Sequence, residues 1–338
     1  MTTTDRALGA FYGLAVGDAL GMPTQTLSRE QVNQLYGELR GFEPAPDVNP
    51  VSRGMAAGRV TDDTEQAVLV AQALVEGGGL VEPMVLVDRL LGWERAAAAA
   101  GSLDLLGPST RRALAALRDG VPPSQSGRHG DTNGAAMRVA PVGIATPVEP
   151  LAGLCEAVAE VSRPTHATAV AVSGACAVAA AVSAGVDGAD VEGAVVAAVE
   201  GARRGAALGH PSPDLDPDVA GRIERAVALV RGLDDASALE AVDRQVGTGV
   251  AAAESVPAAF AVAVLAADDP WRAGLLGARL GGDSDTIAAM AGAVVGACSG
   301  LARLPDEAVA LVRERNRLDL EPLVAALLAL RAAGGRRG

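Results

Sequence analysis

The sequence predicts an all-α protein, on three observations. Residues 64–76 place Ala67, Val70, Ala71 and Leu74 at i, i+3, i+4 and i+7, and residues 286–302 repeat that spacing with Ile287, Met290, Ala291, Val294, Val295 and Cys298. No stretch shows the strict alternation of β-branched or aromatic residues that marks a half-buried strand. Apolar residues make up 49% of the 338-residue chain but aromatics only 2%, so Ala, Val, Leu and Gly must fill the interior, which suits closely packed helices.

The first element is apolar over residues 7–22, with Gly9, Gly13, Gly17 and Gly21 recurring every four residues. That spacing makes a smooth ridge for a second backbone, offsetting roughly 1 kcal/mol of helix propensity lost per Gly. Asp18 interrupts the stretch and Asp5 and Arg6 precede it, so it lacks the basic start of a secretory signal. A carboxylate such as Asp18 on a close-packed face is costly unless paired. Pro and Gly mark loops at 41–58, 120–134, 209–217 and 245–257, and 334–338 reads as a frayed tail. Residues 167–186 carry no charge and are long enough to cross a bilayer, but their Ala, Gly, Ser and Val content reads as a buried helix. No loop is long enough to be an interdomain linker, and the polar motifs lie near opposite ends of the chain. Residues 1–333 therefore read as a single domain.

The formal charge of -13 repels phosphodiester backbones and anionic lipid, so neither nucleic acid nor a membrane is an expected partner. All 28 basic residues are Arg. This excludes chemistry that needs a primary amine: P-loop phosphate binding, protein-kinase transfer and Schiff-base catalysis. Cys155, Cys176 and Cys298 lie far apart in apolar surroundings and read as core thiols of a cytoplasmic protein.

Two short segments share a pattern: Thr61-Asp62-Asp63-Thr64 and Asp283-Ser284-Asp285-Thr286 each open an apolar-periodic helix. One acid suffices to cap a helix and complement its dipole. A second beside it adds repulsion, which a hard divalent cation relieves, and oxygen-only donors favour Mg²⁺ or Mn²⁺ over Zn²⁺. The segment Gly130-Asp131-Thr132-Asn133-Gly134-Ala135-Ala136-Met137-Arg138 joins a loop to an apolar helix and can present backbone N–H groups to an anion. His166 follows Pro164-Thr165 at the start of the long Ala-rich helix. Gly247-Thr248-Gly249 fits a dinucleotide fingerprint formally, but no strand precedes it.

Taken together, these segments resemble the ADP-ribosylglycohydrolase family, and the resemblance spans nearly the whole chain. It rests on G-D-A-L-G-M-P at 17–23, T-D-D-T at 61–64, N-G-A-A-M-R at 133–138, P-T-H at 164–166 and G-G-D-S-D-T-I at 281–287. The resemblance implies an orthogonal helical bundle with a central binuclear metal site holding two Mg²⁺ or Mn²⁺ ions. It implies Thr61, Asp62, Asp63, Asp283, Asp285 and Thr286 as their ligands. On the same basis Asp62, Asp63, Asp285 and Gln25 are candidate catalytic residues, and Asp18, Asn133, Gly134 and His166 candidate substrate-binding residues. Gln25 stands where the family commonly has Glu; an amide keeps the hydrogen-bonding shape but cannot exchange a proton.

The expected activity is metal-dependent hydrolysis of the ribosyl C1 glycosidic bond in ADP-ribosylated protein side chains or related ADP-ribosyl compounds. Two alternatives stand beside it: a nucleosidase for a small free riboside or its phosphate, and a catalytically weak ADP-ribose-binding protein. The retained acidic clusters argue against the last, and Gln25 argues for it.

Overall fold

The computed structural model describes residues 1–99 and 106–334. Helices α1 (Thr3–Gly21) and α2 (Arg29–Tyr36) are followed, after the expected loop, by α3 (Asp62–Glu76), α4 (Pro83–Ala99) and α5 (Pro108–Arg118). Three short helices, α6 (Pro123–Ser126), α7 (Gly134–Met137) and α8 (Ala140–Ala145), lead into α9 (Leu151–Ser162), α10 (Ala169–Val186) and α11 (Val191–Leu208). The remainder comprises α12 (Val219–Val230), α13 (Asp235–Gln245), α14 (Ala252–Ala266), α15 (Pro270–Ala278), α16 (Ser284–Ser299), α17 (Asp306–Asn316) and α18 (Leu320–Gly334). The β features among the described residues are two isolated bridges, Thr132 with Ala251 and Thr168 with His210.

The glycine ridge of α1 lies against α16. A Cβ at Gly9, Gly13 or Gly17 would stand 2.2 to 2.3 Å from the carbonyl oxygens of Gly296, Gly292 and Ala288, and one at Gly21 would meet the Asp285 backbone at 2.4 Å. Side chains ordinarily hold helix axes roughly 8–10 Å apart; here nothing intervenes, so the register of α16 on α1 is set by backbone contact. Both α10 and α16 are buried along their whole length. The one helix long and apolar enough to cross a membrane, among the described residues, is α10, and it lies wholly inside the protein. All three cysteines are free and buried.

Two loop boundaries differ from expectation. The 245–257 loop ends early because α14 begins at Ala252 and carries Pro257 inside it. Proline there forfeits one internal hydrogen bond, but Ala258 through Ala263 are all buried, and that burial sustains the helix. Helix α6 lies within the 120–134 loop, too short to show a period. Gly334 ends α18, and the rest of the expected tail, 335–338, lies outside the described residues.

Candidate functional site

The N-terminal ends of α3, α7 and α16 and Val250, just before α14, converge on one cavity of about 140 Å³. Its lining includes Gln25, Asp62, Thr132, Asn133, Gly134, Val250, Asp283, Asp285 and Thr286. The α1–α16 contact brings the two acidic segments together, since it seats the start of α16 against Gly21, one helical turn from Asp18.

Asp18 is fully buried and caps α3 from outside that helix. Its carboxylate accepts from the Thr61 and Thr64 backbone N–H groups at 3.0 and 3.1 Å and from their hydroxyls at 2.8 and 2.5 Å. Burial raises the Asp18 pKa to about 6, opposed by those bonds. Burial first, then neighbouring carboxylates, holds Asp62, Asp63 and Asp285 well above the usual carboxylate range. Asp283 is also raised by burial, against the bonds from Asn133 and Thr286.

The acidic oxygens are only partly satisfied. Asp63 Oδ2 lies 3.2 Å from the Thr61 hydroxyl and 3.4 Å from that of Thr286. Asp63 Oδ1 and Asp285 Oδ1 are buried with no hydrogen-bond partner. Repelling, half-unpaired carboxylates are unfavourable when buried and suit a hard cation, so the donor set fits Mg²⁺ or Mn²⁺. Among the described residues no three acidic, His or Cys side chains close into a ready coordination shell, so the geometry by itself contains no binuclear centre.

Two loops shape the opposite wall. Asn133 N–H donates to the Val250 carbonyl at 3.0 Å and Ala252 N–H to Asp131 at 3.2 Å, which ties residues 131–133 to the start of α14. The Asn133 amide then donates to Ser255 Oγ at 2.8 Å and to the Asp283 carboxylate. The Thr248 carbonyl accepts the Asp283 N–H at 2.7 Å, and Glu254 holds this loop by accepting the Gly249 N–H at 3.0 Å. The 247–249 glycine loop thus positions Asp283, and among the described residues no strand precedes it.

The ADP-ribosylglycohydrolase family model matches residues 1–337. The chain belongs to the ADP-ribosylglycohydrolase family. It is 38% identical over 325 residues to an uncharacterized protein of Escherichia coli (strain K12), covering 96% of each chain. It is 30% identical over 314 residues to an ADP-ribosylarginine hydrolase of Pseudomonas putida (strain GB-1), covering 90% of this chain and 73% of that one. Among solved structures it matches an ADP-ribosylglycohydrolase-related protein complex with TM-score 0.71 and 28% identity, over 98% of this chain and 99% of that one. Membership supports a hydrolase, and the helical architecture, without strands among the described residues, agrees with that of the solved neighbour.

Measured against the residues expected for such a glycohydrolase, the structure gathers most and moves two back. Gln25, Asp62, Asn133, Gly134, Asp283, Asp285 and Thr286 line the cavity. Thr61 and Asp63 lie just beneath, joined by their 3.2 Å contact. Asp18 and His166, named as candidate substrate-binding residues, lie outside the cavity lining, and Asp18 finds the partners its burial requires in Thr61 and Thr64. Asp18 is consumed by α3, and His166 is fully buried, its ring so close under Gly134 that a Cβ there would meet it at 2.7 Å. Sequence reasoning gave Val250 and Ser255 no site role and placed Thr132 only within the anion-facing loop before Asn133. The 247–250 glycine loop leading to Glu254 and Ser255 was the available signal.

Proposed function

We propose that this chain hydrolyses the ribosyl C1 glycosidic bond of an ADP-ribosyl group carried on a protein side chain or a small molecule. The observation that carries the reading is the meeting of residues 61–64 and 283–286 at one cavity, with Asp63 Oδ1 and Asp285 Oδ1 unpaired. Thr61, Asp62, Asp63, Asp283, Asp285 and Thr286 would hold divalent cations there. Bound at those oxygens, one or two Mg²⁺ or Mn²⁺ ions supply Lewis acidity beside the anomeric carbon and a hold on ribose hydroxyls.

The chain's own residues do the rest. Asp62 and Asp285, on the cavity wall, orient the attacking water and accept its proton as C1 passes through an oxocarbenium-like transition state. Asn133, anchored through its amide nitrogen, keeps its carbonyl oxygen for a ribose hydroxyl. Gln25 is 6% exposed and its Nε2 is buried without a partner, so it can donate a hydrogen bond to the departing atom but no proton. A guanidinium linkage departs as neutral guanidine without prior protonation, whereas an alkoxide needs a proton. Gln25 therefore favours an N-linked arginine substrate, the group named in the Pseudomonas putida relative.

A second reading has its own support. The cavity of about 140 Å³ is well below the roughly 300 Å³ at which drug-sized ligands are enclosed, and no Arg is among its described lining residues. It suits one ribosyl unit, which a free riboside satisfies. Incubation with ADP-ribosyl-arginine, an O-linked ADP-ribosyl serine and simple nucleosides, with and without Mg²⁺, separates the readings. Cation-dependent release of ADP-ribose from the first is expected. Turnover of nucleosides alone establishes the nucleosidase instead, and ADP-ribose binding without any turnover rejects both enzymes.

A further inference from the structure

A line of buried polar groups runs behind the cavity and joins its two walls, with Arg138 at the middle. Arg138 is fully buried, and among the described residues its terminal nitrogens bond to Gln66 and Thr165 rather than to a carboxylate, while its Nε is buried without a partner. One of its terminal nitrogens donates to Gln66 Oε1 at 2.8 Å and the other to Thr165 Oγ1 at 2.6 Å. From Gln66 the line continues through Nε2, 3.2 Å from Asp62 Oδ2. From Thr165 it continues to His166 Nδ1 at 2.8 Å, and from His166 Nε2 to Thr132 Oγ1 at 3.0 Å. Both ends, Asp62 and Thr132, line the cavity.

A guanidinium donates and never accepts, which makes Gln66 Oε1 and Thr165 Oγ1 acceptors. Gln66 must turn its carbonyl to Arg138, so its N–H₂ faces Asp62 and stabilises that carboxylate as an acceptor. Thr165 accepts from Arg138, and its own proton has one acceptor within reach among the described residues, His166 Nδ1. The imidazole proton then lies on Nε2 and is given to Thr132. Having accepted it, Thr132 keeps its hydroxyl proton for whatever enters the cavity. Burial, with Arg138 and Arg112 nearby, pushes the His166 pKa well below 6.5, in keeping with a ring that carries a single proton.

We propose that Arg138 is a positioning residue that sets hydrogen-bond polarity on both walls at once: Asp62 is held as an acceptor, and Thr132 is presented as a donor to an oxygen of the bound ribosyl group. The last contact rests on the proposed ribosyl substrate; the rest does not. The arrangement also accounts for a buried, fully ionised arginine that touches no anion. It balances the acidic cluster through one intervening amide, close enough to compensate and too far to compete for the carboxylate oxygens.

The test is the ¹⁵N spectrum of the imidazoles in the full-length protein, with His129 and His210, both exposed, replaced by Gln so that His166 alone remains. The expected result is a neutral ring protonated on Nε2, with Nδ1 displaced from the free pyridine-type position by the Thr165 hydroxyl. Thr165→Val, which keeps the shape, returns Nδ1 to the free position, whereas Arg138→Met leaves the Thr165 hydroxyl in place without fixing its direction, so a ring protonated on Nδ1 becomes populated. A wild-type proton on Nδ1, an Nδ1 signal unmoved by Thr165→Val, or a tautomer unchanged in folded Arg138→Met overturns the proposal. In a parallel titration with ADP-ribose, Thr132→Val weakens binding about tenfold, the loss of one hydrogen bond; an unchanged affinity overturns the donor role of Thr132. If the wild type binds no ADP-ribose, the substrate reading fails while the imidazole spectrum still decides on Arg138.

Discussion

Gly17 of α1 lies directly on the carbonyl of Ala288 in α16, where a Cβ would stand 2.2 Å from the oxygen. This contact seats the start of α16, and with it Asp283 and Asp285, against the helix that carries Asp18. Gly17→Ala forces the two backbones apart and is expected to destabilise the fold by about 1–3 kcal/mol. Gly153→Ala in α9, where a Cβ meets nothing within 4 Å, is expected to be neutral or stabilising by up to about 1 kcal/mol. Urea unfolding of the two variants checks both, and equal losses would reject the backbone-contact account.

On the proposed function, replacing Gln25 by Glu supplies a group that can exchange a proton beside the leaving atom. Turnover of an O-linked ADP-ribosyl substrate is expected to rise by about a hundredfold, within the usual range for general acid catalysis. Turnover of an N-linked arginine substrate is expected to change by less than about threefold, since its leaving group needs no proton. The kcat values for the two substrates check this; a gain on both alike would remove leaving-group protonation as the function of position 25.

The acidic cluster makes the cation-free protein sensitive to pH in a definite direction. A carboxylate whose folded pKa is raised binds more protons folded than unfolded, so stability falls as pH rises from 3.8 upward. For Asp18 that fall is complete a little above its folded value of about 6, and for Asp62, Asp63 and Asp285 it extends higher. His166 runs the opposite way below pH 6.5, so a difference measurement is needed to isolate one carboxylate. With a chelator present, Asp285→Asn is expected to be more stable than wild type at pH 8 by about 0.5–2 kcal/mol. The gap should shrink as pH falls toward 4. Denaturant unfolding at several pH values checks this, and a variant less stable than wild type at pH 8 would contradict it.

Much of this was legible in the sequence, for identifiable reasons. Paired carboxylates at a helix start exceed what capping requires, which singled out Asp62, Asp63, Asp283 and Asp285. The four-residue glycine spacing announced a close backbone contact, though not its partner 271 residues on, at Ala288. The line through Gln66, Arg138 and His166 was not legible, because no local pattern joins these residues and their partners are 34 and 72 positions distant. His166 misled because its position before α10 is that of a ligand-facing residue, while Gly134, by lacking a side chain, lets the ring pack beneath it. Pro257 misled because burial of the residues after it outweighs the missing hydrogen bond.

The central claim is that two acidic segments far apart in sequence jointly hold a divalent cation. Calorimetric titration of chelator-treated protein with Mn²⁺ tests it most directly, with Asp63→Asn and Asp285→Asn alongside. The account predicts saturable binding to the wild type and at least a tenfold loss of affinity in each variant, roughly 1.4 kcal/mol apiece. Absence of binding to the folded wild type, or binding that neither substitution weakens, would contradict it.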